Sequence, residues 1–237
     1  DTVLEVKNLC RDKYFENISF SVRQGEVLGF FGLVGAGRSE IMTALFGVDK
    51  LDAGEIYIDG ERVNITNPIT AIQKGIGLVP EDRKLQGLVQ KMDVLCNASL
   101  VKMNELTKAG LIDRKKEQEL AQKFVDYLEI KTPSLKKKVG ELSGGNQQKV
   151  IIARWLMMHP KVLIVDEPTR GIDVGSKSEI YRLISELANQ GVAVIVVSSE
   201  LPEILGLSDR VIIIHEGKLT GNLEIEQCDS QIVMQHA

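Results

Sequence analysis

A chain of 237 residues is long enough to bury a sizeable core and sits near the upper end for one domain. Its formal net charge is −4 and its aromatic share only 5%, so it has no global positive field for DNA, RNA or an anionic membrane and few rings for stacking on single strands. No apolar run approaches the ~20 residues needed to span a bilayer, so a membrane role implies a partner, and the start at Asp1 suggests a piece of a longer polypeptide.

In chain order, Leu4 and Val6 alternate with Glu5 and Lys7, and Ile18, Phe20 and Val22 alternate with polar residues, the period of half-buried strands. Ile56 to Ile65 repeats the pattern around Asp59-Gly60, a favoured type I′ turn, so the first part reads as antiparallel β. Val27 to Phe31, Val162 to Val165 and Val192 to Val197 are instead continuous apolar runs, as in parallel strands covered on both faces, and Val211 to Ile214 adds another strand. Between about Pro80 and Gly140 the strand signals vanish, and Leu120, Phe124, Tyr127 and Leu128 mark one helical face of an inserted helical subdomain. After Ser176, Ile180, Leu183, Ile184 and Leu187 define an amphipathic helix stopped by Gly191. The expectation is an α/β core over 1–79 and 141–237 with a small antiparallel β layer, and a helical subdomain over 80–140, all in a single domain.

Directly after the strand Val27 to Phe31 comes Gly32-Leu33-Val34-Gly35-Ala36-Gly37-Arg38-Ser39-Glu40, opening a helix that stops at Gly47. Glycines let backbone N–H groups turn inward around a phosphate, the helix N-terminus adds partial positive charge, and the Ser39 hydroxyl can ligate Mg²⁺. The phosphate-loop pattern wants lysine where Arg38 stands, and a forked guanidinium meets the γ-phosphate with a different geometry. Val162 to Val165 runs into Asp166 and Glu167, where Asp166 can hold Mg²⁺ through water and Glu167 can orient or deprotonate an attacking water. Upstream, Leu142-Ser143-Gly144-Gly145-Asn146-Gln147 puts adjacent glycines at a helix start, a second anion-binding nest.

These motifs in this order resemble the ABC ATPase family, whose signature is LSGGQ. The likeness covers essentially the whole chain and implies a P-loop NTPase fold with an ABC-type ATP-binding core, antiparallel β and helical subdomains, with ATP and Mg²⁺ as ligands. It implies that the nest of residues 142–147 clamps a nucleotide on an opposing domain, and that Gly171-Ile172-Asp173 is a D-loop. Three positions depart from the family: Arg38 for the loop lysine, Glu81 for the Q-loop glutamine and Ser199 for the switch histidine. Glu81 is expected to be able to ligate Mg²⁺ while adding negative charge, and Ser199 to be too short to reach the γ-phosphate as histidine does.

The segments Pro80-Glu81-Asp82-Arg83-Lys84, Pro168 to Asp173 and Ser198-Ser199-Glu200 resemble the C-terminal half of the double-domain ATPases of ribose, galactose and related sugar importers. That likeness implies a first ABC domain in the same polypeptide, transmembrane permease subunits, indirectly a periplasmic or lipid-anchored sugar-binding protein, no nucleic acid, and a place on the cytoplasmic face of the membrane. A regulatory nucleotide-binding module and an ABC protein acting on ribosomes or DNA stay open as alternatives. Tyr14 and Phe15 are the candidates for stacking adenine. His159, His215 and Trp155 read as structural, Lys136-Lys137-Lys138 as a solvated face, and Cys10, Cys96 and Cys228 as thiols without metal or CxxC spacing.

Overall fold

The computed structural model describes residues 1–237. In chain order its elements are β1 (Thr2–Arg11), β2 (Phe15–Arg23), β3 (Val27–Phe31), α1 (Arg38–Leu45), β4 (Ala53–Ile58), β5 (Glu61–Val63), α2 (Pro68–Gln73) and β6 (Ile76–Val79). A π-helical turn (Arg83–Gly87) leads to α3 (Val94–Ser99), α4 (Met103–Leu106), β7 (Thr107–Lys108), β8 (Leu111–Ile112), α5 (Arg114–Tyr127) and α6 (Gly144–Leu156). The chain ends with β9 (Val162–Asp166), α7 (Val174–Asn189), β10 (Ala193–Val197), α8 (Leu201–Leu207), β11 (Arg210–His215), β12 (Lys218–Glu224) and α9 (Ser230–His236).

These residues form two compact units, one of Asp1–Leu78, Pro160–Pro168 and Ile184–Ala237, the other of Val79–His159 and Thr169–Leu183. The second unit is wider than the 80–140 segment set off by the sequence pattern, because the helix following residue 143 clusters with α3 and α5.

In the first unit, alternation becomes a half-buried antiparallel sheet of order β2-β1-β4-β5. Leu4 pairs with Val22 and Ile58, and Val6 with Phe20 and Ile56, so all six apolar side chains share the buried face. The turn joining β4 to β5 has positive φ at both Asp59 (50°) and Gly60 (78°), as a type I′ turn requires. The second sheet has order β12-β11-β3-β10-β9-β6. Every residue of β3, β9 and β10 is buried and these strands run parallel, which explains their unbroken apolar runs. Val197 pairs with Phe30 on one side and Asp166 on the other, so β3, β9 and β10 end level and their following loops leave the same sheet edge. In parallel α/β sheets that edge is where ligands bind.

In the second unit α3, α5 and α6 pack against one another. The buried stripe of α5 is Glu117, Ala121, Phe124 and Val125, continuing to Leu128, while Leu120 is only half-buried and Tyr127 exposed. The expected helix face is therefore rotated, because Glu117 goes inward: Ser99 Oγ donates to its carboxylate at 2.7 Å and Arg114 pairs with it at 2.8 Å. A two-stranded hairpin, β7–β8, interrupts the segment expected to be helical, turning at Ala109 and Gly110 with φ of 48° and 79°. Trp155 is buried in α6, and His159 lies just past its end.

Candidate functional site

Gly32 to Ser39 links the end of β3 to α1 in the first unit. Gly35 (φ 84°) and Gly37 (φ 98°) are left-handed, which turns the backbone around a concave path that side-chain-bearing residues rarely follow. No side chain caps α1 at Gly37, so its first-turn amides remain available to an external acceptor. The loop is braced from behind: Gly217 N–H donates to Ala36 O at 2.8 Å and Ala36 N–H to Leu33 O at 3.0 Å.

Arg38 is 7% exposed, with Nη2 3.6 Å from Glu167 Oε1 and Nη1 buried without a hydrogen-bond partner. A buried guanidinium nitrogen left unsatisfied is costly, and beside an open helix N-terminus it fits an anion with several acceptor oxygens. Ser39 is half-buried one residue on, and Asp166 ends β9 with 4% exposure. Hydroxyl and carboxylate oxygens are a donor set suited to Mg²⁺.

Glu167 adopts φ 46° directly after β9. Its N–H donates to Val197 O at 2.8 Å, and its Oε1 accepts the Ser199 N–H at 2.8 Å. Burial pushes its carboxyl above the ordinary glutamate value, while hydrogen bonding from Ser199 and the charge of Arg38 pull back. Arg38, Glu167 and Ser199 thus meet in one cluster at the level strand ends. Of the two aromatic candidates, Phe15 is buried, whereas Tyr14 is half exposed and lines a cavity of about 480 Å³ with Arg11, Asp52, Glu216 and Lys218. The Arg11 guanidinium lies 4.0 Å from the Tyr14 ring centroid and is held by Asp49 at 3.0 Å.

The second unit carries the other motifs. Ser143 is the exposed N-cap of α6, Asn146 Nδ2 donates to its Oγ at 2.8 Å, and Gly144 and Gly145 form the first turn. Leu142 precedes the cap. Gln147 is 3% exposed and its side-chain amide donates to Val139 O and Leu142 O, both at 3.2 Å, so it faces inward. Glu81 forms an ion pair with Arg170. Asp173 Oδ1 accepts the Ser176 N–H at 3.0 Å, capping α7, and hydrogen bonds from Ser176 lower its carboxyl pKa. Sequence reasoning did not single out Arg83, which donates to Gln147 Oε1, Arg170 O and Gly171 O. An arginine amid charged neighbours gives no periodic signal, and the segment Pro80 to Lys84 draws notice only as a family-like stretch, without a role for Arg83 itself.

The family model for ABC transporters matches residues 15–170, from β2 past the acidic strand. The chain belongs to the ABC transporter family. Ribose import ATP-binding protein RbsA of Bacillus licheniformis is 51% identical over 232 residues, covering 98% of this chain and 47% of that protein. A putative ribose/galactose/methyl galactoside import ATP-binding protein of Geobacillus kaustophilus is 51% identical over 237 residues, covering 100% of the chain and 47% of its own length. The chain therefore spans about half the length of the curated relatives it matches. The structure of the ADP conformation of MJ1267, an ATP-binding cassette of an ABC transporter, superposes with a TM-score of 0.83 at 23% identity, covering 100% of this chain and 98% of that one. This likeness establishes the fold, a P-loop NTPase of ABC type with antiparallel β and α-helical parts. No helix of this cassette is long and apolar enough to cross a membrane.

Proposed function

We propose that this chain is a nucleotide-binding domain of a bacterial sugar-import ATPase, the second of two in its polypeptide, with a core over 1–79 and 141–237 and a helical subdomain over 80–140. The observation that carries the reading is the buried Arg38 with an unpaired Nη1, set on the open N-terminus of α1 beside Glu167. Half-length matches to importers of ribose and galactose support the substrate class and the pairing of two domains.

In this reading the amides of Gly32, Leu33, Val34, Gly35, Ala36 and Gly37, with those of Arg38, Ser39 and Glu40, receive the phosphates of ATP, and Arg38 spreads positive charge over the outermost ones. Ser39 and Asp166 would hold Mg²⁺, which when bound neutralises phosphate charge. Tyr14, backed by Arg11, supplies the stacking face for the base. Glu167 takes the proton of the attacking water, and its raised pKa makes it a stronger base than an ordinary glutamate. Because Arg38 also engages Glu167, hydrolysis at this site is slow until the γ-phosphate draws the guanidinium away. Ser143, Gly144, Gly145 and Asn146 complete the site of the first domain, and the resulting closure passes to permease subunits at the cytoplasmic face of the membrane, which work with an external sugar-binding protein.

Calorimetry with Mg-ATP and Mg-ADP tests the pocket. Saturable heat that weakens about tenfold or more in Arg38→Ala is expected, from the loss of charge-assisted phosphate bonds. No heat at millimolar nucleotide from folded protein would refute the reading.

A further inference from the structure

We infer that Arg83 is a positioning residue that couples the Pro80–Arg83 segment to both the signature helix and the D-loop. Each guanidinium nitrogen has its own acceptor: Nε donates to Gln147 Oε1 at 3.3 Å, Nη1 to Arg170 O, and Nη2 to Gly171 O at 2.8 Å. Gln147 spends its remaining donors on Val139 O and Leu142 O, so its amide is oriented without ambiguity and relays the arginine to the residue before Ser143. One side chain thus binds the backbone of residues 170–171 directly and the carbonyl of Leu142 through one relay.

The neighbours are shaped around this fork. A Cβ on Gly144, the third position of the signature, would stand 2.6 Å from Arg83 Nη2 and 3.1 Å from the Gly171 carbonyl oxygen, so a side chain there would push against both the guanidinium and one of its acceptors. Asp82 Oδ1 accepts the N–H groups of Lys84 and Leu85 at 2.9 and 3.0 Å, fixing the start of the turn that projects Arg83. At the other end of the turn Arg154 Nη1 donates to Gly87 O at 2.7 Å, so the turn is pinned at both ends. Glu81 holds the Arg170 side chain while Arg83 holds its carbonyl, so two residues of one segment grip the D-loop.

Lysine offers one nitrogen and cannot satisfy three separated acceptors, so the charge alone is insufficient. The consequence is that displacement of the Pro80–Arg83 segment moves Ser143 and Asp173 together. This rests on the proposed ATPase reading for its effect on turnover, but the coupling itself does not.

The test compares wild type, Arg83→Ala and Arg83→Lys in the full polypeptide assembled with its permease. Hydrogen exchange read by mass spectrometry should show faster exchange in segments 142–148 and 169–175 together in both variants, with ADP-dependent protection of residues 32–40 unchanged. ATP turnover should fall at least tenfold in kcat with KM within twofold, and Arg83→Lys should recover less than twofold of the loss. Exchange that quickens only in 80–88, or full kcat in Arg83→Lys, overturns the inference. If Arg83→Ala does not fold, Arg83→Lys carries the same comparison. A wild type with no turnover would sink the ATPase reading while the exchange measurement still decides the coupling.

Discussion

Glu167 is pulled in opposite directions, and burial prevails. Burial is the largest influence and raises its carboxyl above 4.5, against the lowering effects of Ser199 hydrogen bonds and Arg38. As a base it works ionised, so activity falls as pH drops through the raised value, and the acid limb of the rate profile should lie above 4.5. For stability the sign is the reverse of a salt-bridged carboxylate. The folded chain holds this proton more tightly than the unfolded one, so the stabilising contribution is complete at low pH and fades as pH rises through the folded pKa. Ser199→Ala removes the largest lowering influence, the hydrogen bond from the Ser199 hydroxyl, and should move the midpoint further up even though the backbone N–H still donates to Oε1 at 2.8 Å, while Arg38→Ala removes a smaller lowering influence and should raise it less. Titration of ¹³C-labelled glutamate by NMR reads both shifts without any turnover, and a midpoint that rises more in Arg38→Ala than in Ser199→Ala would contradict the ordering. Glu167→Gln should retain nucleotide binding and lose about 100-fold or more in turnover, the usual scale for a positioned base.

The start of α6 shows how one motif serves two demands. Gly145 is buried, and a Cβ there would lie 2.7 Å from Ser176 Cβ on α7, so its absence of side chain is a packing requirement within the second unit. Gly145→Ala should therefore destabilise by about 1–3 kcal/mol, the cost of overpacking, and lower the denaturant midpoint at constant slope. A stability change near zero would mean that α7 yields freely. Ser143 is exposed and has no such conflict, so it separates signalling from packing where Gly145 does not. The central strands were legible because β3, β9 and β10 are buried at every position, and a strand covered on both faces must be apolar without a break. The glycine loop was legible too, since Gly35 and Gly37 occupy backbone space that side-chain-bearing residues avoid. Periodicity misplaced the buried face of α5, where Glu117 turns inward to Ser99 and Arg114, because it counts apolar residues and cannot see a carboxylate whose partners are polar. Arg83 escaped because its acceptors are distant in sequence: a glutamine 64 residues on and backbone carbonyls 87 and 88 residues on.

The two motif sets proposed to serve different nucleotides lie in different compact units. The phosphate loop, Glu167 and Ser199 belong to the first unit, and Ser143 to Gln147 and the D-loop to the second. If the polypeptide carries two domains arranged head to tail, changes in the two sets should affect different nucleotides. Ser143→Arg places a bulky cation on an exposed cap with only local contacts to Asn146, so it should leave Mg-ADP binding at Arg38 within twofold. In the full polypeptide the same change should abolish sugar uptake, because it obstructs the site of the other domain. Arg38→Ala should do the converse, weakening nucleotide binding here by tenfold or more while uptake falls only partly, since this site is proposed to hydrolyse slowly. Photolabelling each domain with an azido-ATP, alongside uptake into vesicles, distinguishes the outcomes. If Arg38→Ala stops uptake and Ser143→Arg spares it, the division of labour is reversed and this domain's own loop is the principal catalytic one. That reversal would leave the family assignment standing, since it rests on the family model's match to residues 15–170, and would instead recast the Arg38–Glu167 pair as part of a fast site in which the guanidinium serves as well as lysine.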